Sequence, residues 1–140
     1  MKKAITCFLI DDDPDDQDVF WMALDELEAK FDVAIASDGA DAMEKFAADS
    51  TFVPDYIFID LNMPRMDGIH CLREIRKLPA LKNSIVTMYS TSSEQQMMEM
   101  SKELGANDYI VKPPSLTVLA ARLAGVFKVQ ERNRPVVGGR

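Results

Sequence analysis

An apolar run that ends on an acid is the feature that most constrains the fold of this chain. Residues Tyr56–Ile59 are hydrophobic without alternation, which is typical of a strand covered on both faces of a parallel sheet. Asp60 follows at once, and Pro64 and Gly68 predict a turn beyond it. A second apolar run, Ala4–Ile10, also ends in acids. The carboxyl ends of strands in an open α/β sheet meet at one edge, so we expect these acids to share a crevice.

Strands and helices alternate along the rest of the sequence. Further strands are predicted at Asp32–Ala36, Ser84–Tyr89 and Tyr109–Val111. Apolar residues at helical spacing predict helices over 15–31, 40–48, 69–78 and 94–104, and a last helix that begins at Ser115 or Thr117. Ser92 or Ser93 is expected to cap the fourth helix, and Gly105 to end it. This order predicts an α/β fold with a doubly wound parallel sheet and helices on both faces.

The length and charge of the chain limit its classes of partner. At 140 residues the chain fits one domain, which we place at residues 1–127, followed by a polar and flexible tail at 128–140. The net charge of −7 argues against a nucleic-acid partner, which requires a basic patch, and against an anionic membrane surface. No stretch approaches the roughly 18 consecutive apolar residues of a transmembrane helix, and no signal-peptide pattern is found, so a cytoplasmic location is expected.

The residues that follow the predicted strands share one chemistry. Asp11 and Asp12 follow the first strand, Asp60 the third, Ser90 the fourth and Lys112 the fifth. Carboxylates in close contact repel one another unless a cation lies between them, and Mg²⁺ prefers such oxygen ligands. A hydroxyl and an ammonium can hold the oxygens of a phosphoryl group, and an aspartate can accept it. The pattern therefore predicts Mg²⁺-dependent phosphoryl transfer onto Asp60.

This combination of motifs resembles the receiver domains of two-component response regulators, over about residues 4–127. The acidic pair Asp11-Asp12 and a D-x-x-M-P-x-M-D-G stretch headed by Asp60 carry the resemblance. Ser90 lies 30 residues after Asp60, and Lys112-Pro113 begins 22 residues after Ser90, both typical of the family. The resemblance implies a flavodoxin-like sheet with the strand order 2-1-3-4-5.

The resemblance also implies a role for each site residue. Asp60 would be the phosphoacceptor. Asp12 would bind Mg²⁺ directly and Asp11 mainly through water, with the backbone carbonyl of Asn62 as a further ligand. Lys112 would pair with Asp60 and then with the phosphoryl oxygens.

The resemblance also implies that two further residues of the site move when Asp60 is phosphorylated. The Ser90 hydroxyl would move to the phosphoryl group, and Tyr109 would turn inward as it moves. The surface of the fourth helix, fifth strand and fifth helix would change in response. In relatives, the positions of Asn62 and Ser92 tune dephosphorylation, and the Lys112-Pro113 peptide is expected to be cis.

The partners implied by the resemblance are proteins. The phosphoryl donor would be a sensor histidine kinase or a histidine phosphotransfer protein, and the target an unknown downstream protein. The domain would catalyse its own phosphorylation and slow hydrolysis without being an enzyme for other substrates. No output module follows Phe127, so we expect a stand-alone regulator that signals by protein contact. A phosphorelay intermediate carrier is the alternative.

Two other classes of protein compete with this interpretation. Phosphatases of the haloacid dehalogenase type also use an aspartate nucleophile and Mg²⁺, but they carry a second acid two residues later, where Asn62 stands here. Asp11 and Asp13 have that spacing, yet the chain is short for that fold. A degenerate adaptor would have lost Asp60 or Lys112. The acids Asp13, Asp15 and Asp16 are interpreted as helix N-terminal residues favoured by the helix dipole.

Overall fold

Strands and helices alternate from one end of the described chain to the other. The structure, a computed structural model, describes residues 4–133 and the side chains up to residue 130. The strands are β1 (Ile5–Ile10), β2 (Phe31–Ala36), β3 (Tyr56–Ile59), β4 (Ile85–Ser90) and β5 (Asp108–Val111). The helices are α1 (Pro14–Asp25), α2 (Gly39–Ala48), α3 (Gly68–Lys77), α4 (Gln95–Glu103) and α5 (Leu116–Asn133), with a 3₁₀ turn at Pro79–Leu81.

The five strands form one parallel sheet in the order β2-β1-β3-β4-β5. The predicted fold class and strand order are therefore confirmed. In the register of the central strands, Ile10 lies opposite Ile59 and Ile59 lies opposite Met88. The carboxyl ends of β1, β3 and β4 consequently meet at the same edge of the sheet.

Helices cover both faces of the sheet, and each face has its own core. Alternate residues of β1 and β3 point to opposite faces, as the pleat of a strand requires. On one face the strand residues pack with α2 and α3, in a cluster that includes Phe8, Ile10, Ile57, Ile59, Phe46, Leu72 and Ile75. On the other face they pack with α1 and α5, in a cluster that includes Cys7, Leu9, Tyr56, Phe58, Phe20, Leu24, Leu123 and Phe127.

The two cysteines belong to opposite cores. Cys7 and Cys71 are both free and fully buried. Burial raises the pKa of each thiol to about 12, so both remain protonated near neutral pH. Within residues 4–133, no helix combines the length and the hydropathy needed to cross a membrane.

The first helix ends earlier than the sequence predicts. It stops at Asp25, and the Glu26 backbone amide donates to the carbonyls of Ala23 and Leu24. The prediction over 15–31 was wrong because Leu27 and Phe31 continue the apolar spacing and pack on the same core, although they lie in a turn and in β2. A helical spacing of apolar residues cannot distinguish a helix from a turn and a strand that follow it when all of these residues pack on the same core.

The predicted cap of α4 was also wrong. Glu94 occupies the N-cap position and makes no side-chain capping bond. Ser92 lies in the preceding turn, where its hydroxyl accepts a 3.4 Å hydrogen bond from the Glu94 amide. The predicted end of α4 at Gly105 is confirmed, since Gly105 follows the helix with a φ of +107°. The predicted start of α5 at Ser115 is also confirmed, since the Ser115 hydroxyl accepts from the Val118 amide.

Two further predictions concern the end of the chain. The last helix continues past Phe127 to Asn133, and residues 134–140 of the predicted tail lie outside the described residues. The boundary of the domain at Phe127 therefore stays a prediction. The Lys112-Pro113 peptide is trans, since no peptide bond of the described residues is cis. The expectation of a cis bond was wrong, and the trans bond is the form that most bonds before proline adopt.

Substitution of Gly68 by alanine should destabilise the fold. A β-carbon at Gly68 would collide with the Asp60 carbonyl oxygen and would lie 2.7 Å from the Leu61 α-carbon. We expect the free energy of unfolding to fall by about 1–3 kcal/mol, as in other overpacked sites. Urea unfolding followed by circular dichroism measures it.

Gly125 provides the matched control for this substitution. It lies inside α5, and no atom comes within 4 Å of a β-carbon added there. Gly125→Ala should stabilise the protein by up to about 1 kcal/mol, because alanine favours a helix interior. Equal stabilities of native protein and Gly68→Ala would contradict the steric argument.

Candidate functional site

The candidate site lies at the last backbone hydrogen bonds of the sheet, at the carboxyl ends of the strands. The Asp60 amide donates to the Ile10 carbonyl at 2.9 Å, and the Lys112 amide donates to the Ser90 carbonyl at 2.7 Å. Asp11 is fixed in the same way by a 3.0 Å bond from its amide to the Ala36 carbonyl. The sheet hydrogen bonds therefore continue one residue past each strand and fix the backbones of three predicted site residues.

Lys112 holds the centre of the site. Its Nζ atom donates to Asp11 Oδ2 at 2.8 Å and to Asp16 Oδ2 at 2.7 Å, and lies 3.6 Å from Asp60 Oδ2. The side chain is 9% exposed. Burial works against the charged form, but the hydrogen bonds to Asp11 and Asp16 outweigh it and raise the pKa of Lys112 above its usual value. Lys112 is thus a permanent cation, closer to Asp11 and Asp16 than to Asp60.

Asp11 is the fully buried partner of this ammonium. One carboxylate oxygen accepts from Lys112 and the other from the Asp13 amide at 3.0 Å. The Gln17 side chain donates to the Asp11 carbonyl at 2.7 Å. Burial nevertheless raises the pKa of the Asp11 carboxyl above its ordinary value.

Asp60 is nearly buried and poorly neutralised. It is 7% exposed, and its Oδ1 atom accepts a long 3.4 Å bond from the Asn62 amide. Burial raises the pKa of the Asp60 carboxyl to about 6. The Lys112 ammonium lowers this pKa, but repulsion from Asp11 and Asp12 partly offsets that lowering. A carboxylate in this position is stabilised by any cation that enters the cleft.

Three carboxylates are placed to hold a metal ion. Asp11, Asp12 and Asp60 each offer an oxygen, and these atoms lie within 4.8 Å of one another. Asp12 is exposed to the cleft, whereas the other two are buried. The donors are all hard oxygens, which suit Mg²⁺ or Mn²⁺ better than a softer ion. Together with the raised pKa of Asp60, this donor set fits a divalent cation.

A cleft of about 430 Å³ opens over these groups. Its lining residues are Asp12, Asp13, Pro14, Asp16, Asp60, Asn62, Thr91 and Lys112. Among these residues Lys112 is the one cationic side chain. The lining therefore carries an excess of negative charge. A small anion would bind there favourably only together with a cation that offsets this charge.

The predicted switch residues lie on the β4 and β5 side of the cleft. Ser90 is fully buried, and its hydroxyl accepts a 3.2 Å bond from the Ser92 amide. The phenol of Tyr109, which is half-buried, donates to the Ser92 carbonyl at 2.7 Å. Burial raises the pKa of Tyr109 above its ordinary value, so the phenol remains a donor. Ser90 and Tyr109 thus meet through the backbone of Ser92.

Sequence reasoning missed two contacts of Lys112. Asp16 was interpreted as an acid favoured by the helix dipole, and it does lie in the first turn of α1, but it also binds Lys112. The sequence assigns no role to Tyr89, whose ring centroid lies 4.9 Å from the Lys112 ammonium. The start of α1 at Pro14 was the available signal for Asp16, because it places the first helical turn at the sheet edge. No comparable signal existed for Tyr89.

A third missed contact fixes the loop between β3 and α3. Arg65, on this loop, donates to Asp38 through Nε at 2.7 Å and Nη2 at 3.2 Å. Asp38 is buried and also caps α2 by accepting from the Asp41 amide. The hydrogen bonds from Arg65 hold the pKa of Asp38 below its ordinary value despite burial. This paired contact anchors the loop that carries Asn62.

Comparison with known proteins agrees with this geometry. The model of the response regulator receiver domain family matches residues 7–124, so the chain belongs to this family. Its members are signalling domains of two-component systems that receive phosphoryl groups from histidine kinases. Membership argues against the alternative of a haloacid dehalogenase-type phosphatase.

The similarity extends to individual proteins. The chemotaxis protein CheY of Treponema pallidum (strain Nichols) is 38% identical over 93 residues, which cover 66% of this chain and 62% of that protein. The chain spans less than two thirds of the length of the first curated relatives it matches. Two solved structures superpose closely over nearly all of the chain. The phosphorylated cyanobacterial phytochrome response regulator RcpA has 28% identity and a TM-score of 0.83, covering 97% of this chain and 100% of that chain. The Mn²⁺-bound form of the response regulator Rcp1 has 25% identity and a TM-score of 0.80, covering 96% and 99%.

Replacement of Asp60 by asparagine should stabilise the metal-free protein at neutral pH. The folded-state pKa of about 6 lies above the ordinary value of 3.8, so the native protein loses stability as pH rises from about 4 to 6. Asparagine does not titrate and escapes this cost. We expect a gain of about 1–3 kcal/mol at pH 7 that shrinks toward zero near pH 4.

Urea unfolding in the presence of EDTA at pH 4, 5, 6 and 7 checks this expectation. EDTA is needed because a bound divalent cation would offset the same charge. A gain that is independent of pH would show that burial of the Asp60 charge is not its cause.

Proposed function

We propose that Asp60 accepts a phosphoryl group from a phosphohistidine of a sensor kinase or a histidine phosphotransfer protein, in a reaction that requires Mg²⁺. The observation that carries this proposal is the convergence of Asp11, Asp12 and Asp60 on one cleft beside Lys112. Family membership supports the same chemistry. The RcpA relative is described as phosphorylated and the Rcp1 relative as Mn²⁺-bound.

The transfer step uses the Asp60 carboxylate as the nucleophile. One of its oxygens forms a bond to phosphorus as the bond between phosphorus and the histidine nitrogen breaks, and the imidazole leaves. Asp11, Asp12, Asp60 and the Asn62 carbonyl would hold Mg²⁺, which neutralises charge on the phosphoryl oxygens. Lys112 is 3.6 Å from Asp60 and would complete the neutralisation by moving onto one of those oxygens.

The signal would pass to the surface through Ser90 and Tyr109. A Ser90 hydroxyl that turns to the phosphoryl group gives up its bond from the Ser92 amide. The Tyr109 phenol is bonded to the Ser92 carbonyl, so the movement would release Tyr109 and alter the face of α4, β5 and α5. A downstream protein that reads this face is the proposed target. The role of relay carrier and the cytoplasmic location stay predictions of the sequence.

Mass spectrometry of the intact protein tests the phosphoacceptor. After incubation with acetyl phosphate and Mg²⁺, the native protein should gain one phosphoryl group, and Asp60→Asn should gain none. Asp67→Asn is the matched control, since Asp67 is an exposed acid at the other end of the same loop and asparagine caps α3 equally well. It should be phosphorylated like the native protein.

Two outcomes would contradict the proposal. Phosphorylation of Asp60→Asn would place the acceptor elsewhere, and an adduct that forms equally well in EDTA would exclude the metal requirement. If no adduct forms on the native protein, titration with beryllofluoride and Mg²⁺ separates a short-lived adduct from an inert site. An inert site would support the degenerate adaptor.

Replacement of Ser92 by glutamate should speed the loss of the phosphoryl group. Ser92 is short and engaged in its own turn through the Ser90 hydroxyl and the Glu94 amide, so it cannot hold an attacking water. A glutamate there could position that water, and we expect the decay rate of phosphorylated Asp60 to rise by about tenfold, which is below the roughly 10²–10⁴-fold typical of positioned acid–base groups.

The decay is measured by intact mass after removal of acetyl phosphate. Ser93→Glu is the control, because Ser93 is the exposed neighbour and the charge change is the same. Equal decay of the two variants would show that Ser92 does not limit hydrolysis.

A further inference from the structure

We propose that Asp16 is a positioning residue that competes with phosphorylated Asp60 for the Lys112 ammonium. This inference rests on the proposed function of Asp60 as phosphoacceptor. It assigns to Asp16 a role in setting the stability of the phosphorylated state. The starting observation is that Lys112 Nζ lies 2.7 Å from Asp16 Oδ2 and 3.6 Å from Asp60 Oδ2.

The ammonium has too few donors for all its neighbours. Lysine carries three N–H donors, and Asp11 and Asp16 accept two of them. The face of the Tyr89 ring, 4.9 Å from Nζ, is a further attraction on the same ammonium. At most one donor is left, and Nζ lies 3.6 Å from Asp60 Oδ2, so the ammonium must move away from an existing partner to bind a phosphoryl oxygen closely.

Asp16 is the partner that can be released. Asp11 is fully buried, and its second oxygen is already fixed by the Asp13 amide, so removal of Lys112 would leave a buried charge. The Asp16 side chain is 34% exposed and can be hydrated when the bond breaks. The bond between Asp16 and Lys112 therefore costs least to give up, and it favours the unphosphorylated arrangement.

The backbone of α1 determines where this carboxylate lies. Asp13 caps the helix by accepting from the Asp15 amide, and Pro14 begins its first turn at the sheet edge. The neighbouring acid Asp15 belongs to the same turn but is exposed. Asp15 and Asp16 therefore carry the same charge in the same helical turn, and the contact with Lys112 distinguishes Asp16 from Asp15.

Beryllofluoride binding tests the inference, because this phosphoryl analogue assembles on the acceptor carboxylate without a covalent transfer. With saturating Mg²⁺, calorimetry should show that Asp16→Asn binds beryllofluoride about three- to fivefold more tightly than the native protein, the range of a partly exposed ion pair. Asp15→Asn removes the same charge and should bind like the native protein. Asp16→Glu keeps a carboxylate and should lie nearer to native than Asp16→Asn.

The direction of the effect separates positioning from support of the fold. A residue that merely supports the site would weaken beryllofluoride binding when replaced. Equal or weaker binding by Asp16→Asn than by Asp15→Asn would therefore overturn the inference while leaving the proposed function intact. Failure of the native protein to bind beryllofluoride would overturn the proposed function and this inference together.

Discussion

The register of the parallel sheet determines where the charged groups of this protein lie. Because Ile10 pairs with Ile59, the residues that follow them, Asp11 and Asp60, are neighbours at one edge. The ladder bond from the Lys112 amide to the Ser90 carbonyl brings the end of β5 to the same edge. Both faces of the sheet are covered by helices, so polar side chains are tolerated mainly at the strand ends.

The charges at this edge do not balance. Asp11, Asp12 and Asp60 face one ammonium, Lys112, which is shared with Asp16 as well. Burial then raises the pKa of Asp11 and Asp60 even though a cation is near. A site of this kind is costly in the free protein and favours any ligand that brings positive charge. Strong perturbation of carboxyl pKa values by burial and neighbouring charges is common at functional sites.

The sequence predicted the sheet and the acids better than it predicted their contacts. The predicted strand ends lie within one residue of the observed ends, because apolar runs bounded by polar residues mark them, and Asp60 and Lys112 followed from those ends. The end of α1 was misjudged because Leu27 packs like a helical residue from within a turn. The bond between Asp16 and Lys112 joins residues 96 positions apart. No local pattern records such a contact, since it depends on how α1 packs against α5 on the sheet.

The two loops that flank the cleft are held with different strength, and this difference suits a switch. The loop after β3 is closed by the bond from the Gly68 amide to the Leu61 carbonyl and anchored by Arg65 on buried Asp38, so the chemical side of the site is rigid. The turn after β4 depends on single bonds to Ser92. It leads into α4, which lacks a side-chain cap and whose one fully buried residue is Ser101, whereas α3 buries four. A helix with so few buried contacts is free to shift at small cost. The proposed chemistry at a fixed edge would thereby be joined to movement of the adjacent surface.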